Sequence, residues 1–226
     1  MNIGIFVLVN KTNDSMNITI FGGTGESGLR TINRLLEAGY EVTAFARSPE
    51  KIGITHRNLR TVKGELSDYN TIERAIKNAA AVISLLGPNA KSKKLSVSQG
   101  TRNIIKAMEN NGVKRLIATA TPSFQDSNDK FQFGFTIGRM IVKIFLKEVY
   151  GDICETGSIV VKSNLDWTLL RLPMLSKKAG TGKISAGYTG DGTVKLFSLS
   201  REDLAIFIIK QLEDRFYIHK APVISN

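Results

Sequence analysis

Along the chain, short runs of consecutive apolar residues alternate with longer stretches in which apolar residues return every third or fourth position. The first run, MNITIF, places Ile18, Ile20 and Phe21 in a strand. LRTINRLLEAG then changes to helical spacing at Leu29, Ile32, Leu35 and Leu36 and stops at Gly39, a C-terminal cap. YEVTAFARSPEK reads as a second strand rich in aromatic and β-branched residues, and LRTVKGELSD as a third strand followed by a turn. NTIERAIKNA turns Ile72, Ala75, Ile76 and Ala79 to one side of a helix, and AVISLLGP is a buried fourth strand broken by Gly87 and Pro88. A polar loop, KSKKLSVSQG, leads to the helix of QGTRNIIKAMENNG and then to a fifth strand, VKRLIATATPS, whose exit carries Thr119, Thr121 and Ser123. Strands and helices taking turns in this way predict right-handed crossovers and a single α/β domain, a doubly wound parallel sheet with helices on both faces.

The second half is less regular. FQFGFTIGRMIVKIFLKEVYGD contains a helix with Arg139, Lys143 and Lys147 at i, i+4 and i+8 and apolar residues over the rest of its surface. Such a helix either lies on a membrane surface or, the favoured reading, covers a cleft and packs its apolar side on the sheet. ETGSIVVKSNL is a further helix, DWTLLRLPML a sixth, buried strand, and 180–193 a Gly-rich excursion expected to form a hairpin. SREDLAIFIIKQLED opens on Ser200 as N-cap with Asp203 at the third helical position, an acidic capping box. FYIHKAPVISN closes the domain as a short strand. Residues 1–15 precede a second Met that opens the first clear strand. They read as an extension from an upstream start or as an extra edge strand over Ile3 to Val9, with 16–226 as the folded domain and a small C-terminal substrate region.

The chemistry concentrates after the first strand. GGTGESG spaces Gly22, Gly25 and Gly28 three apart, running a strand into a helix, the geometry that seats a dinucleotide pyrophosphate. Gly22 allows the tight exit, Gly25 the approach of backbone amides to phosphate, and Gly28 the close packing of helix on sheet; the helix N-terminus faces the anion with unsatisfied donors. Arg47 lies nineteen positions beyond Gly28 at the end of the second strand, with Ser48 and Lys51 beside it. A carboxylate there would suit a ribose 2′-hydroxyl. A guanidinium instead pairs bidentately with a 2′-phosphate, which points to NADP(H) over NAD(H).

Composition narrows the remaining classes. The 226 residues, 42% of them hydrophobic, suit one domain with a sizeable core. A single cysteine, Cys154, and two histidines exclude an intramolecular disulfide and leave too few soft ligands for a zinc site, so no metal is expected and a reducing cytoplasm fits. No apolar stretch has the length of a membrane span, and the N-terminus lacks the features of a signal peptide. The net charge of +11 is scattered, without the aromatic interleaving of a nucleic-acid platform, so no nucleic-acid partner is expected.

Together these residues resemble the atypical short-chain dehydrogenase/reductase families, in the NAD(P)-binding group that contains biliverdin-IXβ reductase (flavin reductase) and the NmrA-like regulators. The resemblance runs from Met16 onward through GGTGESG, ARSPEK, GELSD, SNLDWTLLRLPML and SREDLA. It implies a Rossmann-like fold and cofactor contacts from Gly22, Thr24, Gly25, Glu26, Ser27, Gly28, Arg47, Ser48, Lys51, Glu65, Leu66, Leu86, Gly87 and Thr121. The chain departs from the pattern at Glu65, where the family commonly has Asp beside the adenine, and at Arg171, Leu172, Pro173, where an Arg-Pro pair is split. The wider superfamily's Tyr-x-x-x-Lys pair is missing: the fourth residue after Tyr40, Tyr69, Tyr150, Tyr188 and Tyr217 is Ala44, Glu73, Cys154, Gly192 and Ala221. Relatives without that pair move hydride by placing a planar acceptor against the nicotinamide, with an assisting hydroxyl at the exit of strand five. Thr121 takes that position, with Ser123 its neighbour, although a strand-end Thr bonded to local backbone explains Thr121 equally well. Phe131, Phe133 and Phe135 are expected to wall the acceptor site. The reading is an NADPH-dependent reductase of a flavin, quinone or tetrapyrrole, acting as a monomer or weak homodimer. A non-catalytic NADP(H) sensor and, less well supported, a sugar-nucleotide epimerase are the alternatives.

Overall fold

A computed structural model describes residues 16–87, 97–194 and 198–226. Residues 1–15, on which the extension or extra edge strand would fall, lie outside the described residues. The Rossmann half runs β1 (Asn17–Phe21), α1 (Glu26–Glu37), β2 (Glu41–Ala46), β3 (Leu59–Lys63), α2 (Tyr69–Ile76), β4 (Ala81–Ser84), α3 (Val97–Asn110) and β5 (Arg115–Ala120). It continues with α4 (Phe133–Phe145), α5 (Lys147–Val161), β6 (Asp166–Arg171), β7 (Leu175–Ser176), β8 (Ser185–Gly187), β9 (Leu199–Ser200), α6 (Arg201–Glu213) and β10 (Val223–Ser225).

The main sheet has the order β3-β2-β1-β4-β5-β6-β10-β8, parallel except for β8, which pairs antiparallel with β10; β7 and β9 form a separate parallel pair. The strand order therefore reverses between β1 and β4, and the crevice past their C-terminal ends is where such sheets bind ligands. Pleating sorts the apolar residues onto two faces. Ile18 and Ile20 of β1, Ile83 of β4 and Ile117 of β5 pack with Ile32 and Leu35 of α1 and with Leu204 and Ile208 of α6. On the other face Phe21, Val82, Leu116 and Leu169 meet Ile76 of α2, Ile104 and Met108 of α3, and Val160 of α5. The doubly wound single-domain sheet read from the periodicity is the one observed.

Several local expectations are corrected. KSKKLSVSQG is not loop throughout, since Val97 to Gly100 already belong to α3. The basic helix ends at Phe145, and Lys147 to Asp152 belong to α5; Leu146, at φ −131° and ψ 49°, breaks the two without glycine or proline. The Gly-rich excursion does not fold on itself, because its one strand, β8, finds its partner in β10. The capping box is half formed: Ser200 Oγ accepts from the Asp203 amide at 3.0 Å, but the Ser200 amide donates to Asn226 Oδ1 at 3.1 Å. Asp203 instead collects the Thr181 and Gly182 amides at 2.8 and 2.9 Å. Finally, α4 does not pack its apolar side on the sheet; none of its residues is buried.

Candidate functional site

The glycine turn is built by close approach. Gly22 leaves β1 at φ +83°, and a Cβ there would sit 2.6 Å from the Leu85 carbonyl oxygen, in the segment that leaves β4. Gly28, in the first turn of α1, packs so near that a Cβ would meet Gly23 Cα at 2.7 Å and the Gly22 carbonyl oxygen nearer still. Gly25 differs, with nothing closer than the Gly22 oxygen at 3.5 Å. It caps α1 without any side-chain hydrogen bond, so the open space and the free end of the helix face outward. These features form the cradle a phosphate requires, and the residues present fit a dinucleotide.

Around the cradle the other expected cofactor residues take these places. Glu26 pairs with Lys177 at 2.7 Å and Arg201 at 3.3 Å, and the bond from Lys177 holds its carboxyl below the usual range. Arg47 is exposed just past β2, the strand next to β1, and makes no ion pair among the described residues; Ser48 precedes and Lys51 ends a single helical turn, Pro49–Lys51, in which the Lys51 amide donates to the Ser48 carbonyl at 3.1 Å. Glu65 and Leu66 follow β3. The Glu65 carbonyl accepts from the Asp68 amide at 2.9 Å, and Leu66 leans on Gly100 while its carbonyl accepts from Asn103 Nδ2 at 2.7 Å.

Beyond the cradle lies a cavity of about 210 Å³ at the C-terminal edge of the sheet. It brings together Ser27, Leu86, Gly87 and Thr121 from the expected set, with Leu85, Thr119 and Ala120. Its remaining lining was not anticipated: Val97, Asp152, Ile153 and Thr156 from the α3–α5 side, Leu172, Pro173 and Leu175 after β6, and Leu204 of α6. Ser123 is buried but does not line it, and neither do Phe131, Phe133 or Phe135; Phe131 and Phe133 are largely exposed. No tyrosine or lysine is found among the described lining residues.

The polar groups of the cavity are few, and most are already engaged. Asp152 accepts from the Val97 and Ser98 amides, both at 2.9 Å, and so caps α3 from α5. Thr119 Oγ1 donates to the Ser84 carbonyl at 3.3 Å. Thr121 Oγ1 accepts from the Ser123 amide at 3.2 Å, the local bond weighed above, and still borders the cavity with its own proton to give. Thr156 Oγ1 is buried and has no hydrogen-bond partner among the described residues. A buried hydroxyl left so is costly unless a ligand or water completes it, and it was missed because Thr156 reads as one polar position in an apolar helical stripe.

Comparison with known proteins agrees with this geometry. The family model described as NAD(P)H-binding matches residues 22–215. Among curated proteins, a 3-beta-hydroxysteroid dehydrogenase of Mycolicibacterium neoaurum is 30% identical over 122 residues, 49% of this chain and 33% of that protein. The chain thus spans about a third of that relative's length. Among solved structures, the oxidoreductase ylbE from Lactococcus lactis superposes with a TM-score of 0.75 at 24% identity, covering 93% of this chain and 91% of that one. ChuY, an anaerobillin reductase from Escherichia coli O157:H7, gives a TM-score of 0.73 at 19% identity, covering 93% and 97%. The structural likenesses establish the fold, and the family match agrees with the NAD(P)-binding resemblance drawn from the sequence.

Proposed function

The chain belongs to the NAD(P)H-binding family, and we propose that it is an NADPH-dependent oxidoreductase of the cytoplasm that reduces a planar small-molecule acceptor such as a flavin, quinone or tetrapyrrole. The observation that carries this reading is the largely apolar cavity at the strand ends beside Ser27 of the glycine turn. When bound, the reduced nicotinamide supplies hydride. The amides of the first turn of α1 would hold the pyrophosphate, and Arg47 with Ser48 and Lys51 the 2′-phosphate. Leu86, Leu172, Leu175 and Leu204 exclude water and offer flat apolar contact to an aromatic acceptor. Thr121 and Thr156 are left to orient polar edges by hydrogen bonds.

Neither hydroxyl is a strong acid, since an aliphatic alcohol holds its proton far above neutral pH. The reaction that suits the site is therefore one in which the acceptor takes its proton from water. That ChuY is an anaerobillin reductase supports the reductase reading without naming the acceptor here. A sensor of the NADP(H) ratio is the second reading, favoured by the absence of a tyrosine or lysine among the described lining residues. NADPH oxidation measured over a panel of flavins, quinones and tetrapyrroles, beside NADPH titration, separates them: turnover of one class supports the reductase, and tight binding with none supports the sensor.

Three substitutions sharpen the assignment. NADPH is expected to bind at least about tenfold tighter than NADH by calorimetry, and Arg47→Ala to remove most of that preference by weakening NADPH alone. Equal affinities in the wild type would refute the role of Arg47. Thr121→Val is expected to lower kcat by less than about tenfold, and Thr156→Val to raise the acceptor KM while the Kd for NADPH holds. A thousandfold loss at Thr121 would make it a general acid after all.

A further inference from the structure

The helix α4 is turned the wrong way round for a water-soluble protein. Its half-buried positions are Phe135, Thr136, Arg139 and Val142, while Phe133, Ile137, Met140, Ile141, Ile144 and Phe145 form one continuous arc facing solvent. Phe133 is 69% and Phe145 77% exposed. A helix on a protein surface ordinarily buries such an arc, and a contiguous patch of this kind marks a surface that meets something apolar.

The charges around the arc identify what it meets. From Lys130 to Lys147 the chain carries four cations, Lys130, Arg139, Lys143 and Lys147, and no carboxylate. None of the four forms an ion pair among the described residues. Two copies of this chain docked through α4 would press these like charges together at the rim of the contact. An anionic bilayer instead neutralises the exposed Lys130, Lys143 and Lys147, while their long stems let the charged heads reach the lipid phosphates as the apolar arc sinks between the acyl chains; Arg139, half-buried against the protein, adds only to the local positive charge. Thirteen residues make a helix of about 20 Å, too short to cross a bilayer core of about 30 Å, so α4 fits only parallel to the surface.

We infer that α4 docks this protein on the surface of an anionic membrane. The inference is independent of the cofactor and acceptor assignments, because no residue of α4 lines the cavity.

The test is sedimentation of the full-length chain with vesicles of phosphatidylcholine and phosphatidylglycerol, against vesicles of phosphatidylcholine alone. Partition onto the anionic vesicles is expected to be at least about tenfold stronger and to weaken as salt is raised, each cation contributing a factor of about five. Ile141→Glu combined with Ile144→Glu should abolish it, and Lys143→Gln should weaken it by that single factor. Both isoleucines are exposed, so melting temperature and NADPH affinity should stay at wild-type values and exclude misfolding as the cause. Failure of the wild type to partition would overturn the inference, as would partition that the isoleucine pair leaves untouched. A dimer seen by light scattering that the isoleucine pair dissolves, with no vesicle binding, would overturn it in favour of a second copy of the chain.

Discussion

Asp129→Ala is expected to cost about 3–5 kcal/mol of stability, read as a lower denaturation midpoint, because it strands a buried cation. Arg171, at the end of β6, is fully buried. Its Nη1 and Nη2 donate to the two oxygens of Asp129 at 2.5 and 2.8 Å, its Nε to the Ala221 carbonyl at 2.6 Å, and Nη1 also to the Phe124 carbonyl at 3.2 Å. Asp129 in turn accepts from the Asp126 and Thr189 amides at 2.9 and 3.0 Å. One ion pair thus ties β6 to the loop after β5, the approach to β10 and the segment after β8. Burial alone would raise the Asp129 carboxyl, but the bonds from Arg171 and the two amides outweigh it and hold the pKa below its ordinary value. Asp203 follows the same logic, its burial outweighed by the bonds from Thr181, Gly182, Ser200 and Asn226. A depressed carboxylate gives stability that is complete above its unfolded pKa of about 3.9 and disappears as pH falls through the lower folded value. The acid side of the wild-type stability curve should therefore fall steeply below that point, and Asp129→Asn should flatten it; an unchanged acid limb in the asparagine variant would contradict the assignment.

The second large effect is expected at the glycine turn. Gly28→Ala puts a methyl group against the backbone of Gly22 and Gly23, and backbone cannot swing aside as a flexible side chain can. The first turn of α1 must shift, and the amides proposed to bind phosphate shift with it. The Kd for NADPH should rise at least about tenfold and the melting temperature should fall. Gly25→Ala is the control. Its methyl group would meet only the Gly22 oxygen at an ordinary 3.5 Å, so the fold should keep its melting temperature while NADPH, which needs that space, binds more weakly. Normal NADPH binding by Gly28→Ala would move the phosphate site away from this turn.

The parts of this molecule that were legible in its sequence are those whose physics is local. The alternation of strand and helix period placed β1 to β6 and the helices between them, because a buried parallel sheet demands that pattern and tolerates little else. The glycine spacing was readable for the same reason, since Gly22 and Gly28 answer to atoms a few residues away and to Leu85 at the neighbouring strand end. Thr121 could be placed because strand exits in such a sheet share one edge. What could not be read depends on distant partners. β8 is three residues long and owes its existence to β10, nearly forty positions later. Asp152 and Thr156 of α5, Leu172 after β6 and Leu204 of α6 come from three separate parts of the chain and share the cavity only once it has folded. The rotation of α4 illustrates a different limit: periodicity shows that a helix has an apolar arc but not whether the protein or its surroundings will cover it.

The division of the apolar residues between two faces of the sheet has a consequence for how this sequence can change over time. Ile32, Leu35 and Ile208 belong to one apolar cluster and Ile76, Ile104 and Met108 to another, with the strands standing between the two groups. Substitutions without shared neighbours act additively. Each face can therefore drift and repack by its own compensations, with no matching change required across the sheet. The strand residues, and above all the turn that both faces must keep in place, are left as the slowly changing axis between two independently varying halves.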